Sequence, residues 1–430
     1  MRKHIIRLLL PTALLAALAA LPSPSRPAMA AGSLPDKGLV CITSPTNTFN
    51  LTTNSGSIST SDGNTIWMWG MSIVGQPFQH PSPNLCVNEG ATVTIALSNT
   101  DPNAAVGRVN EPVSLIFPGQ TEVLADGQPS QPTFDGAGAM TSLAPMAAVG
   151  GTVSYSFVAD KPGTYLYESG TAQSKQVQMG LFGALIVRPS AGSTFVYNRA
   201  DSQFKLGEEY IALLSEIDPA QHQAVELNQP FDYSTYHARY WLINGRTFPD
   251  TIAPNGASWL PDQPYGALAH IEPYSAANPL PAALRYLSVG TEDYPFHPHG
   301  NHERVIGRDG NPLADGTADL SYERFSIPVG PGQTWDALFN WSDAESYNSI
   351  SNPLPVTLPN QGNTTYGQYY SGNPYLGNRG TLPTGQESYN QCGEYYHIAH
   401  NHALNQITNW GTTMSGQITY VRIDPPGGCH

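Results

Sequence analysis

The chain has 430 residues, of which 40% are hydrophobic and only 12% are charged, and it contains 41 glycines, 38 prolines and 22 tyrosines. The apolar content is enough to build a core and excludes a disordered or fibrous protein, while the charged share is about half of the usual value. A formal net charge of −14 argues against nucleic-acid partners, because a negative surface repels phosphate. Few charges and many turn residues are typical of an exported all-β protein.

The first 30 residues have the pattern of a signal peptide. A basic start precedes an apolar run over residues 8–21, and residues 28–30 (Ala-Met-Ala) fit a small-x-small cleavage site. Loss of this segment would remove four cations and take the net charge to −18. Pro11 interrupts the run, and no later stretch approaches about 18 apolar residues. We therefore expect an exported protein, periplasmic or extracellular, with no membrane span.

The four cysteines lie in two groups, one near each end of the chain. An even number in an exported protein favours disulfides, and three pairings are open. Their positions suggest Cys41–Cys86 and Cys392–Cys429, one bridge in each domain. A thiolate metal site is the alternative, but none of the cysteines lies in a CxxC pair.

Short runs of alternating hydrophobicity, separated by Gly, Pro, Asn and Asp, predict strands along the whole chain. The clearest runs cover residues 91–97, 152–157, 183–187, 284–289 and 417–423. The stretch most like a helix is Glu208 to Ile217, and it is short. Strands at this spacing predict β-sandwiches.

A weak internal repeat divides the chain. In residues 160–187, a Gly turn and an aromatic strand are followed by a loop and a Gly-led strand, and residues 393–423 have the same order. Two copies imply two related sandwiches, with a signal peptide at 1–30, an N-terminal domain at 31–190 and a C-terminal domain at 205–430. The segment 346–391 is rich in Tyr, Asn and Gly, and it is either a solvated loop or a surface for a partner.

Six of the twelve histidines fall in two windows, residues 297–302 and 397–402. On an extended strand, residues i and i+2 share a face, so His297 and His299 form one pair, and His400 and His402 another. Two such pairs on neighbouring strands would offer four imidazoles, ligands that suit copper or zinc. A metal-free, hydrogen-bonded cluster is the alternative. On ideal strands, His302 and His397 would face away from these pairs.

These residues and their surroundings resemble the multicopper oxidases. The stretch 294–300 (YPFHPHG) is similar to the family's H-P-x-H-x-H-G, and residues 305–310 (VIGRDG) and 329–333 (VGPGQ) are similar to the elements that follow it. In the first half, residues 163–167 (GTYLY) and 179–187 (MGLFGALIV) resemble the family's G-T-Y-x-Y-H-S-H and G-L-x-G-x-L-I-V. The resemblance spans most of residues 85–425 and implies two cupredoxin-like Greek-key β-sandwich domains.

The resemblance also implies a reduced set of copper ligands. Tyr294 stands where the family has a type 1 copper His, while His297 and His299 match two histidines of the trinuclear cluster. The family's H-C-H corresponds best to residues 400–402 (HNH), so that Asn401 replaces the type 1 Cys. In the alternative register, residues 397–399 (HIA), Ile398 replaces the Cys and one cluster His remains.

The first domain departs further from the family. Residues 115–119 (LIFPG) replace the family's H-x-H-G, and residues 168–170 (ESG) replace its H-S-H. Two cluster pairs are therefore missing, although Glu168 would add a carboxylate to a metal site if the domains face each other as in the family. Two-domain relatives form homotrimers with the cluster between subunits, so a neighbouring subunit is a second source of that carboxylate. The alternative is that Glu168 is a surface or hydrogen-bonded residue with no metal.

Two functions follow from these observations. The retained histidine pairs favour an exported copper protein, with zinc as the alternative ion and with residual or altered oxidoreductase chemistry but no type 1 site. The Tyr-rich segment favours a non-enzymatic role in metal storage or assembly. A zinc hydrolase ranks last, because no acid/base motif accompanies the histidines.

Overall fold

The structure is a computed structural model that describes residues 34–342 and 395–424. The signal-like segment, the Tyr-rich segment at 346–391, Cys392 and Cys429 lie outside the described residues. Within the two described ranges, no helix is long and apolar enough to cross a membrane.

The first half of the chain forms a β-sandwich with eleven described strands. A six-stranded sheet has the order β2-β1-β4-β9-β5-β6, and a three-stranded sheet has the order β10-β11-β3. The helix α1, Gln173–Met179, connects β10 to β11. The strands are β1 Thr48–Ser59, β2 Thr65–Ile73, β3 Leu85–Asn88, β4 Thr92–Ser98, β5 Leu124–Ala125, β6 Gln128–Pro129, β7 Thr133–Phe134, β8 Met140–Ser142, β9 Thr152–Val158, β10 Gly163–Glu168 and β11 Phe182–Arg188.

The second half forms a second sandwich of the same kind. Its larger sheet has the order β13-β12-β15-β23-β17-β18, with β21 also paired to β17, and its smaller sheet has the order β14-β27-β24-β16-β22. The helix α2, Pro219–Glu226, follows β12. The strands are β12 Glu209–Ile217, β13 Tyr240–Ile243, β14 Ala269–Ile271, β15 Ala282–Ser288, β16 Tyr294–Pro298, β17 Glu303–Arg308, β18 Asn311–Pro312, β19 Ala314–Asp315, β20 Ala318–Asp319, β21 Tyr322–Arg324, β22 Ile327–Val329, β23 Thr334–Phe339, β24 Tyr395–Asn401, β25 Thr408–Asn409, β26 Thr412–Thr413 and β27 Ile418–Ile423.

The predicted all-β fold of two cupredoxin-like sandwiches is confirmed, and the five runs chosen from alternation coincide with β4, β9, β11, β15 and β27. The helical expectation for Glu208 to Ile217 is wrong, because this segment is the strand β12. Tyr210 and Leu214 point from β12 into the core of the second sandwich, while Ile211 and Leu213 point to the other side. Since both faces are covered, the strand lacks the apolar–polar alternation that identifies half-buried strands.

The outward side of β12 packs against the first sandwich. Leu166, Val177 and Phe182 from the first sandwich form one buried cluster with Ile211 and Leu213 of β12. Burial of large aliphatic and aromatic side chains stabilises such contacts by about 1.5–3 kcal/mol each. The described residues from 34 onward accordingly form one compact unit, and the domain limits near 190 and 205 remain a prediction.

Residues 35–42, which we call the N-terminal strap, lie across both sandwiches. The side-chain amide of Asn255 donates to the carbonyl oxygens of Pro35 and Gly38, both at 3.0 Å, and the amide of Leu39 donates to the Glu209 carbonyl oxygen at 2.8 Å. Farther along, the disulfide Cys41–Cys86 joins the strap to β3. The strap is thus bonded covalently to the first sandwich and by hydrogen bonds to the second.

Candidate metal centre

The pairing of β16 with β24 brings the two histidine windows together. His297 lies directly opposite His400 in this antiparallel pair. On β16 the side chains of Tyr294 and Phe296 enter the core, and on β24 that of Ala399 does. Because side chains alternate along a strand, His297 and His400 are left on the outer face of the sheet.

His299 and His402 follow the ends of the same two strands and complete a group of four rings. Five of the ring pairs have centroids 4.6–5.7 Å apart: His297–His299, His299–His400, His297–His402, His400–His402 and His297–His400. We call these four residues the imidazole cluster. The structure therefore brings together the four histidines that the sequence singles out.

Backbone carbonyl groups orient two of the four rings. The Nδ1–H of His400 donates to the carbonyl oxygen of Asn401 at 2.7 Å, and the Nδ1–H of His297 donates to that of Phe325. Since a carbonyl oxygen only accepts, both rings carry their proton on Nδ1 when neutral, and Nε2 keeps its lone pair. This is the usual way in which a protein fixes the ligand nitrogen of a metal-binding histidine.

The Nε2 atoms of His299 and His400 lie 3.1 Å apart. In the metal-free protein this contact is a hydrogen bond in which His299 donates, because the Nδ1 of His400 already holds that ring's proton. Metal–nitrogen bonds of about 2.0–2.1 Å place two adjacent ligands on one ion about 3 Å apart. The pair therefore has the spacing that an imidazole-bound copper or zinc ion requires.

The cluster is not a complete ligand set as it stands. Within residues 34–342 and 395–424, no group of three or more His, Cys, Asp or Glu side chains converges in the arrangement of a metal site. A third ligand from His297 or His402 requires rotation of that ring. The Phe325 ring, which is 58% exposed, contacts His297 with 5.7 Å between centroids and closes one side of the cluster.

The cluster is electrostatically suited to bind a cation. Burial and the neighbouring imidazoles His297, His400 and His402 lower the pKa of His299 to about 4. Burial is also the main reason that the pKa of His400 is lowered. Both rings are therefore neutral at pH 7, and a neutral imidazole is the form that binds a metal ion.

The remaining candidate residues lie outside the cluster. His302 is exposed beside Phe325, with 6.4 Å between ring centroids. His397 is buried, and its ring packs against Trp341 and against the backbone of Gly300. A Cβ on Gly300 would lie 2.6 Å from the His397 ring, and φ is +96°, so this position requires glycine. His397 therefore lies on the face of β24 opposite His400, although its imidazole is near enough to His299 that burial and this neighbour together lower the pKa of His397 to about 3.

Glu168 ends β10 on the first sandwich. Its backbone exchanges two hydrogen bonds with Ile116, at 2.8 and 3.1 Å, and burial raises the pKa of its carboxyl group to about 7. In the described part of the chain, no hydrogen bond joins it to the imidazole cluster. Leu115 and Phe117, next to Ile116, are buried in the core of the first sandwich. This region therefore presents apolar side chains where the resemblance implies histidines.

The two positions that the resemblance assigns to type 1 copper ligands hold hydrogen-bonded polar residues. Tyr294 is buried, and its hydroxyl donates to the carboxylate of Glu216. Asn401 is also buried, and its side-chain amide donates to Gln417 at 2.8 Å. Glu216, Gln417 and the Phe325 carbonyl group could not be identified from sequence, because only the fold brings these distant groups together.

Comparisons with known proteins agree with the fold. Residues 68–192 match the family model described as multicopper oxidase. The chain is similar in structure to the multicopper oxidase mgLAC, with 18% identity over 88% of this chain and 86% of that one and a TM-score of 0.56. It is equally similar to the blue copper oxidase from Nitrosomonas europaea, with 18% identity, coverage of 87% and 85%, and a TM-score of 0.57. A sequence search of curated proteins gave no match.

Proposed function

We propose that this protein binds copper through the imidazole cluster and has residual or altered oxidoreductase activity without a type 1 copper site. The observation that carries the proposal is the register of β16 against β24, which sets His297 opposite His400 and leaves the Nε2 atoms of His299 and His400 3.1 Å apart. The likeness to multicopper oxidases, which implies copper, supports it.

The neighbouring groups favour copper held by neutral nitrogen ligands. His299 and His400 would supply the first two nitrogens, and His297 and His402 lie close enough to add others after ring rotation. Cu(II) bound in this way supplies one-electron chemistry. The chain's own part is to keep His299 and His400 neutral, to fix the tautomers of His297 and His400 through backbone carbonyl groups, and to place the exposed Phe325 ring against one side of the cluster.

The absence of a type 1 site is part of the proposal. Tyr294 and Asn401, at the positions that the resemblance assigns to its His and Cys, are engaged with Glu216 and Gln417. A blue-copper site needs a cysteine thiolate and two imidazoles. The alignment of residues 400–402 with the family's H-C-H is supported by the ring contacts of His400 with His299 and of His402 with His297. His397, which begins the alternative alignment, packs against Gly300.

Metal content per chain tests this function. The protein is loaded with Cu(II), desalted and analysed by mass spectrometry, and a parallel sample is loaded with Zn(II). We expect one or two copper ions per chain in the wild type and a loss of at least tenfold in occupancy in His400→Ala/His402→Ala. His237→Ala, an exposed histidine outside the cluster, is the matched control and should retain its copper.

The outcomes separate the candidate functions. Copper that the double variant loses, together with oxygen consumption in the presence of a reductant, supports the oxidoreductase. Copper without oxygen consumption favours the alternative, a non-enzymatic metal-binding or assembly protein. Retention of zinc in preference to copper, or negligible metal in the wild type, would refute the proposal.

Export and assembly belong to the same proposal. Export is supported by the signal-like residues 1–30 and by the Cys41–Cys86 disulfide, since such bridges are typical of oxidising compartments. The mature N-terminus, determined by mass spectrometry, tests export.

The homotrimer that the resemblance implies would bring Glu168 of one subunit towards the imidazole cluster of another. Light scattering of the copper-loaded protein measures its mass directly.

A further inference from the structure

Asn401, the residue between His400 and His402, uses both ends of its side-chain amide in hydrogen bonds beside the imidazole cluster. Asn401 is 0% exposed. Its Oδ1 accepts from the amide of Ala403 at 2.9 Å, and its Nδ2 donates to Oε1 of Gln417 at 2.8 Å. Its carbonyl oxygen is the acceptor that fixes the His400 ring. One residue therefore contacts the backbone on one side of the cluster and the core on the other.

The bond to Ala403 closes the turn that contains His402. A side-chain oxygen that accepts from the amide two residues later forms an Asx-type turn, which sets the direction of the chain beyond a strand end. The amide of His402, inside this turn, donates to the Pro295 carbonyl oxygen of β16 at 2.8 Å. Asn401 therefore determines where His402 stands relative to the other histidine window.

The bond to Gln417 connects the turn to the opposite sheet. Gln417 is fully buried, and its Nε2 donates at 3.1 Å to the carbonyl oxygens of Ser215 on β12 and Leu242 on β13. These strands belong to the seven-stranded sheet, whereas Asn401 belongs to the five-stranded one. The two amides thus form a chain across the core of the second sandwich. Such a chain fixes its members strongly, because an unpaired amide in the core is costly.

We infer that Asn401, together with Gln417, is a positioning residue for the metal centre: its side chain holds in place the backbone carbonyl oxygen that sets the tautomer of His400, and it sets the placement of His402. The inference rests on the proposed copper-binding function, but the orientation of the rings exists without metal. Asparagine suits the position because it offers an acceptor to Ala403 and a donor to Gln417 at the same time. A leucine of similar size offers neither.

The test compares four variants, first without metal. Long-range proton–nitrogen NMR of the histidine rings reports which nitrogen of His400 is protonated. We expect the Nδ1–H form in the wild type, a mixture in Asn401→Leu, and partial recovery in Asn401→Ser, whose hydroxyl can still accept from Ala403. Gln417→Leu removes only the connection to the opposite sheet. Asn409→Leu is the control, since that buried asparagine bonds to Ser415 and Trp241 and not to the cluster.

The same variants are then titrated with Cu(II). Loss of a group that orients a metal ligand typically weakens affinity about 10–100-fold. We expect a loss in this range for Asn401→Leu and Gln417→Leu, with an altered Cu(II) EPR hyperfine splitting, and a change within about twofold for Asn409→Leu. Circular dichroism identifies any variant that fails to fold. If Asn401→Leu fails to fold, the His400 tautomer and the copper affinity of Asn401→Ser test the inference instead.

Two results would overturn the inference: wild-type tautomer and copper affinity in folded Asn401→Leu, or an equal loss in Asn409→Leu. A wild-type protein that binds no copper would refute the proposed function instead. In that case the metal-free tautomers alone decide whether Asn401 positions the rings.

Discussion

Replacement of Asp336 by asparagine should destabilise the protein strongly, because it leaves a buried cation without its partner. Asp336 and Arg285 are each 1% exposed and form an ion pair at 3.0 Å on the face of the larger sheet that packs against the first sandwich. Thr164, from the first sandwich, donates to the same carboxylate at 2.5 Å, and Tyr197 donates to its other oxygen at 2.7 Å. The variant keeps the shape of this group, removes its charge, and replaces one acceptor oxygen by an NH2 group that cannot accept from Arg285, Thr164 or Tyr197.

The magnitude follows from the burial of the pair. Breaking a fully buried ion pair by removing one partner costs about 3–5 kcal/mol, since the remaining charge stays desolvated. Arg285 keeps a second partner, because its Nε donates to Glu209 at 2.7 Å, so the lower half of the range is expected. With an unfolding entropy of about 2.1 cal/mol/K per residue over roughly 400 residues, the melting temperature should fall by about 4–5 °C.

Chemical denaturation measures this loss as a shift of the transition midpoint at constant slope. Asp309→Asn is the matched control, because Asp309 forms an exposed ion pair with Arg308 at 3.2 Å in the same sandwich. Such pairs contribute about 0–1 kcal/mol. A second variant, Arg285→Met/Asp336→Leu, should recover only part of the stability. Apolar replacement of both charges is often neutral, but here Glu209 loses one donor and the hydroxyl groups of Thr164 and Tyr197 lose their acceptor. If Asp336→Asn is no more destabilised than Asp309→Asn, the reasoning is refuted.

Three further variants test other buried groups. Tyr294→Phe removes one hydrogen-bond donor from Glu216, so denaturation should show a loss of about 1–3 kcal/mol. His80→Leu should flatten the pH dependence of stability. Burial lowers the pKa of His80 to about 3, so between about pH 6.5 and 3 the unfolded state binds a proton that the folded state does not. The stability of the wild type therefore falls as the pH drops through this range, and that of the variant should fall less. Arg246→Met leaves the backbone carbonyl groups around residues 250–263 without a donor, and hydrogen exchange there should accelerate at least tenfold.

Each of these predictions has a contrary result. A Tyr294→Phe variant with unchanged stability would show that other groups that donate to Glu216, among them Thr291 and Tyr236, stabilise its buried carboxylate without Tyr294. An acid unfolding slope in His80→Leu equal to that of the wild type would mean that His80 is protonated in the folded state. Arg246→Lys is the control for charge alone, and if it exchanges as slowly as the wild type, the five-donor guanidinium is not required.

The parts of the fold that depend on local patterning were predictable from sequence. The strands β4, β9 and β15 have alternating or strongly apolar segments bounded by turn residues, and each lies within a residue or two of its predicted position. The i, i+2 spacing of His297 with His299 and of His400 with His402 also depends on local geometry alone. That a metal ion binds there is still a prediction.

The parts that depend on tertiary packing were not predictable. The strand β12 has apolar residues on both faces because two cores meet at it, and a single sequence gives no sign of the second core. The helices α1 and α2 are seven and eight residues long, too short for a clear 3.6-residue period. Asn401 and Gln417 are 16 positions apart and meet only because β24 pairs with β27, a pairing that the sequence does not specify.

The N-terminal strap determines where the chain would tolerate a break. The strap belongs to the first half of the chain and is bonded to it through Cys41–Cys86, while its first residues form hydrogen bonds with Asn255 and Glu209 of the second half. After a cut near residue 200, the first half would keep the strap and the second half would keep the surface that binds it. A fragment that starts at residue 34 has the peptide needed to recognise its other half, whereas one that starts after residue 43 lacks both the peptide and the sulfur bridge that holds it in place.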